Sequence, residues 1–175
     1  ALVISDVIDV TNSESERAHR YAVDGVVWQG SRTLVYEGSD QARERNARKE
    51  TGESWYSIAG ITDVGRTWTK TCEFTVAVHP ENQGVRLRRR YAGEWLLSDD
   101  DVPTTAAQAA RVLVDGQDVG TWYLPAHHAR ECWMEDEFEI SPRFCKGKSG
   151  IRVVLTSLRD SGWNDYRYWV FSYLL

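Results

Sequence analysis

Long apolar runs are missing from this sequence, and none approaches the roughly 20 consecutive residues that a membrane-spanning helix requires. An excess of positive charge is missing too: 26 Asp and Glu outnumber 21 Lys and Arg, giving a net charge of -5. Bulk attraction to nucleic-acid phosphates needs a positive footprint, so nucleic acid is not an expected partner. Cysteine is scarce, with only Cys72, Cys132 and Cys145. No CxxC pair occurs among them and three cannot all be joined. Cys132 with Cys145 would close a short loop as one disulfide, and a reduced cytosolic set fits equally. The sequence also lacks a GxSxG turn, a cysteine placed beside a histidine and an acid, and a phosphate-cradling glycine loop. No cofactor is therefore expected, and catalytic residues stay unassigned. No signal peptide is visible in the sequence, which opens on the strand-like "ALVISDVIDV"; a processed piece of a longer chain would open in the same way, so secretion stays compatible.

Aromatic and β-branched residues are abundant. Eight Trp and eight Tyr are enough rings for some to form a core and others to lie on a contact surface. "YAVDGVVW", "TLVYEG", "TWTKTCEFTVAV", "GVRLRRRY", "ARVLVDG", "GTWYL", "EDEFEI", "GIRVVLTS" and "YRYWVFSYLL" are rich in Val, Thr, Tyr, Trp and Phe with partial period-two alternation. Their number and spacing predict an all-β fold, an antiparallel β-sandwich or jelly roll. In "VLVDGQDVGTWY", Asp115-Gly116 can take the positive φ angles of a tight hairpin turn. "SDQARERNARKETGES" is charged throughout with little apolar face, and predicts one short helix or charged loop. "SDDDVPTTAAQAA" reads as a loop. No linker or repeat divides the chain, so residues 1–175 are expected to form a single domain.

The stretch "NQGVRLRRRYAGEW" puts Val85, Leu87, Arg89 and Tyr91 on one face of a strand and Arg86, Arg88 and Arg90 on the other. Such crowding of like charge is costly. An acidic glycan would relieve it. So would an antiparallel partner such as "MEDEFEI", which sets Glu135, Glu137 and Glu139 alongside at the same period; the second reading is favoured in an acidic protein. His127, His128 and Glu131 lack the spacing of a helical zinc site, and Asp99, Asp100 and Asp101 lack a calcium-loop pattern, so no metal is expected. Paired carboxylates can hydrolyse glycosides, but nothing lifts Glu131, Glu135, Asp136 or Asp165 above the other acids. The rings are the better lead, because sugars stack their C–H faces on flat aromatics and offer hydroxyls to polar neighbours. "ESWYS", "ARECWMED" and "RDSGWNDYRYW" place Trp55, Tyr56, Trp133 and Trp163 among such partners, with Arg130 and Asp165 as hydroxyl contacts; Trp122 and Trp169 sit in strand runs and are expected in the core.

"GVRLRRRY", "ARVLVDGQDVGTWYL", "EDEFEI", "KGKSGIRV" and "YRYWVFSY", across residues 83–173, together resemble a β-sandwich segment of the α-D-fructofuranosidase and D-arabinofuranosidase glycoside hydrolase family. The resemblance implies a jelly-roll module attached to carbohydrate chemistry, self-association, and a secreted or periplasmic setting, with a cytoplasmic one still open. The Gly-Thr-Glu-Asp-Tyr type stretch that carries that family's acidic catalyst has no match here, so no catalytic residue is carried over. The expectation is an accessory, carbohydrate-associated domain that binds sugar or packs on a catalytic partner. The rivals are a furanoside hydrolase acting through paired carboxylates and a structural or oligomerisation module.

Overall fold

A computed structural model of the chain describes residues 1–52, 60–93, 96–97, 103–105, 107–128 and 132–175. The strands among them are β1 (Leu2–Asp9), β2 (Ala22–Leu34), β3 (Ile61–Ala77), β4 (Val85–Ala92), β5 (Leu96–Leu97), β6 (Pro103–Thr105), β7 (Gln108–Val114), β8 (Gln117–Leu124), β9 (His127–His128), β10 (Trp133–Ile140), β11 (Gly150–Ser157), β12 (Trp163–Asp165) and β13 (Arg167–Tyr173). The helices are α1 (Ser13–Ala18), α2 (Asp40–Thr51) and α3 (Pro142–Cys145). Strands β1, β13, β4 and β10 pair in that order into one sheet; β12, β3, β11, β7 and β8 form the other, with β2 also on β3, and β5, β6 and β9 make a small third. The antiparallel β-sandwich expected from the alternating runs is the fold found.

Alternation sets the layers. In β4 every second side chain from Val85 to Tyr91 is buried, because period-two side chains fall on opposite faces of a pleated strand. Val85, Leu87, Tyr168 and Val170 of the four-stranded sheet join Phe74, Val76, Val112, Val153 and Leu155 of the six-stranded one in a shared core. Phe74 meets Tyr168 across the layers at 5.0 Å. Asp115 (φ 48°) and Gly116 (φ 81°) make the tight turn joining β7 to β8.

The charged stretch after β2 is a helix. Ser39 Oγ accepts from Ala42 N at 3.1 Å at its start, Gly52 closes it in the left-handed conformation, and no side chain on it is buried. The short helix α1 was not anticipated. Its signals are Asn12, whose Oδ1 accepts from Ser15 N at 2.9 Å, and acidic Glu14 and Glu16 in the first turn.

The three cysteines are buried and unbridged. The Cys132–Cys145 disulfide considered from sequence is ruled out by β10, which lies between them and spans about 25 Å when extended.

Candidate functional site

The arginine stripe resolves in two directions. On the outer face of the four-stranded sheet, β4 pairs with β10 so that Arg86, Arg88 and Arg90 stand opposite Glu139, Glu137 and Glu135. Arg86 Nε donates to Glu139 Oε1 at 2.6 Å and Arg88 Nε to Glu137 Oε1 at 2.8 Å, while Arg86 also reaches Glu137 at 3.2 Å. Arg90 turns the other way: Nη1 donates to Asp63 at 2.8 Å and Nε to Tyr36 Oη at 2.7 Å, and Tyr36 Oη donates to Glu135 at 2.9 Å. The charge crowding is thus relieved by a facing row of acids, as the sequence favoured. Desolvation pushes the Tyr36 phenol up to about 12, with Arg90 opposing and Glu135 reinforcing the shift.

Arg89 faces inward and has no accessible surface. Asp136, its cross-strand partner, takes both arms of the fork at 2.9 and 2.7 Å. The remaining Nη1 donates to Gln108 Oε1 and the Asn164 carbonyl. The guanidinium lies 3.5 Å from the Trp163 ring centre.

Trp133, Trp163 and Asp165 were expected to meet ligand, and the structure encloses all three. Trp163 sits edge-on to Trp122 at 5.3 Å and donates Nε1–H to Tyr168 Oη at 3.0 Å. Trp133 packs against Tyr166 at 4.6 Å and donates to the Ile61 carbonyl at 2.8 Å. Asp165 Oδ2 accepts from Tyr168 Oη and Trp68 Nε1. These indoles have no free face for a sugar, because neighbouring rings enclose them: Trp68 and Trp122 beside Trp163, and Tyr166 against Trp133. Trp55, Tyr56 and Arg130 lie outside the described residues. Gly60 and Cys132, which adjoin those segments, come together with Leu34–Tyr36: Trp133 N donates to Val35 O and Glu37 N to Trp133 O. Two small cavities open at this corner beside α2. One of about 110 Å³ is lined by residues including Glu37, Arg45, Asn46 and Cys132, and one of about 190 Å³ by residues including Tyr36, Ser39, Gln41 and Ile61.

A part-exposed aromatic row lies elsewhere. Along the outer side of β13 run Arg167, Trp169, Phe171 and Tyr173, cross-strand from Asp9, Val7, Ile4 and Leu2 of β1 on one side and from the β4 arginines on the other. Trp169, expected in the core, is part-exposed and lies between two guanidinium groups, Arg90 at 5.3 Å and Arg167 at 5.5 Å. Phe171 is buried beneath Arg88, at 4.8 Å, and Arg86 lies over part-exposed Tyr173 at 5.5 Å. Asp9, beside this row, has its carboxyl raised by burial and by Asp63, against the pull of Arg167 and Arg90. The face therefore offers ring surface flanked by fixed donors and acceptors, a combination suited to hydroxyl-rich ligands. The alternation R-x-W-x-F-x-Y was visible in the sequence. Which side faced out was not. Among the described residues no cluster of His, Cys, Asp and Glu is arranged to hold a metal.

No family model matches the sequence, and no curated protein sequence matches it. Solved structures do. A family 35 carbohydrate-binding module from Clostridium thermocellum superposes with a TM-score of 0.51 at 14% identity, covering 98% of each chain. A carbohydrate-binding module of Cellvibrio mixtus lichenase 5A, solved with cellotriose, gives 0.47 at 11% identity over 96% of this chain and 97% of its own. CsCBM6-3 from Clostridium stercorarium, solved with cellobiose, gives 0.43 at 13% identity over 96% and 93%. What the first of these shares with this chain is the fold.

Proposed function

We propose that this domain binds carbohydrate without cleaving it, as an accessory module of a glycan-active, furanosidase-like protein. The observation that carries this reading is the outer face of the four-stranded sheet, where part-exposed Trp169 and Tyr173 flank buried Phe171 in a row between aliphatic β1 and the Arg–Glu ladder of β4 and β10. The fold it shares with a carbohydrate-binding module supports the same reading. Trp55, Tyr56 and Arg130 remain proposed contacts. Of the carboxylates considered for hydrolysis, Asp165 is enclosed, Asp136 is held by Arg89 and Trp122, and Glu135 accepts from Tyr36, while Glu131 lies outside the described residues. Affinity electrophoresis against a panel of soluble furanose- and pyranose-containing glycans tests the proposal. Trp169→Ala is expected to abolish the retardation of at least one glycan that slows the wild-type chain. Retention unchanged in Trp169→Ala would move the site off this face, and no retention by wild type on any glycan would sink the sugar-binding reading itself.

A further inference from the structure

Asp165 is the most poorly accommodated charge among the described residues. Its side chain is completely enclosed. Oδ2 accepts two hydrogen bonds, from Tyr168 Oη at 2.6 Å and Trp68 Nε1 at 3.1 Å, while Oδ1 accepts none. The cross-strand neighbour is Arg66, yet that guanidinium is spent on Glu16 and on Gln29 Oε1. Arg89, on β4, is spent on Asp136, Gln108 and the Asn164 carbonyl. The other titratable groups nearby are Tyr168 on β13, Cys72 on β3 and Tyr21 ahead of β2, with Glu16 on α1 beyond Arg66. Burial holds the Tyr168, Cys72 and Tyr21 groups well above their ordinary values. They stay neutral near pH 7 and supply no countercharge.

A dehydrated carboxylate with one bare oxygen is unfavourable, whereas the neutral acid carries its hydrogen on the oxygen that receives no donor. We propose that Asp165 is a proton-operated latch: protonated in weak acid, it holds β12 and β13 against β3, and its ionisation towards neutral pH loosens that joint. Burial supports this, lifting the carboxyl from 3.8 to about 6 against the hydrogen bonds and the two arginines. Because the folded value is raised, the unfolded chain gives up its proton first. The stabilisation is complete below the unfolded value and is lost as pH rises through about 6.

The test compares guanidinium chloride unfolding of wild type and Asp165→Asn from pH 4 to 7.5. The unfolding constant of wild type relative to the variant is expected to rise about fiftyfold across that window, because about two pH units separate the buried carboxyl from an ordinary aspartate, each is a factor of ten, and pH 4 already lies at the ordinary aspartate value. A ratio constant with pH would overturn the latch. Asn adds an amide to a closed site, so the second readout uses the unaltered chain: the carboxyl ¹³C shift of Asp165 followed by NMR. A midpoint close to 6 supports the latch, and one at the ordinary aspartate value of about 4 refutes it. Neither measurement depends on sugar binding.

Discussion

A single arginine shows how much a side chain's direction decides. Arg86, Arg88 and Arg90 form part-exposed ion pairs that are individually weak, while Arg89, one position away, is a fully buried cation bound bidentately by Asp136 and roofed by Trp163. Removing one partner of such a pair strands the other in a low-dielectric interior. Arg89→Ala is therefore expected to cost about 3–5 kcal/mol in chemical unfolding. The joint replacement Arg89→Met with Asp136→Leu should cost far less than the sum of the single changes, since it removes both charges. Additive effects would show that the two side chains do not act as a pair. The buried indoles follow the same logic: Trp133→Ala and Trp163→Ala should each destabilise by about 3–5 kcal/mol through cavity formation.

Strand pairing turns these residues into a surface. The β4–β10 register brings Arg and Glu rows together and commits both to the outer face, so Arg88→Ala or Glu137→Ala is expected to change stability by less than about 1 kcal/mol. A different element is intolerant. Gly65 on β3 passes so close to the chain at β12 that a Cβ would collide with the Asp165 carbonyl and the Tyr166 ring. Gly65→Ala should lower stability by about 2 kcal/mol or more, measured by thermal melting, because backbone rather than a movable side chain stands in the way. Outer strands are guarded: β1 and β2 carry register shifts at Ile4/Asp6 and Asp24/Val26, the pairing of β8 with β7 shifts at Val112/Leu113, and β10 carries its glutamates. Such features oppose edge-to-edge strand addition. Light scattering is expected to show no strand-mediated growth with concentration; self-association through other surfaces remains a proposal.

At the scale of the whole molecule, the rings that hold the fold and the ring proposed to meet sugar are different ones. The enclosed cluster of Trp68, Trp122, Trp133 and Trp163 holds the sandwich together, whereas Trp169 lies on the outer face. Trp169→Ala should therefore lose glycan retention with a melting temperature within a few degrees of wild type, while Trp163→Ala should lose melting temperature first. Equal melting losses in both variants would erase this division. Much of the architecture was legible beforehand. The alternating runs gave the sandwich, Asp115-Gly116 gave a hairpin, and the Arg and Glu periods gave the β4–β10 pairing. The candidate site was less legible. Trp133 and Trp163 stand beside charged and small residues that look like loop surroundings, yet both lie within or at the end of paired strands.

By itself, the sequence determined the alternation, the turn chemistry and the charge periods, because each acts between neighbours along one strand or two adjacent ones. Only the tertiary structure decided which face of β13 meets solvent, why Arg89 differs from its neighbours, and that Asp165 is sealed with one oxygen bare. Those outcomes depend on what the opposite sheet presents across the core, and period-two spacing is the same whichever face is covered.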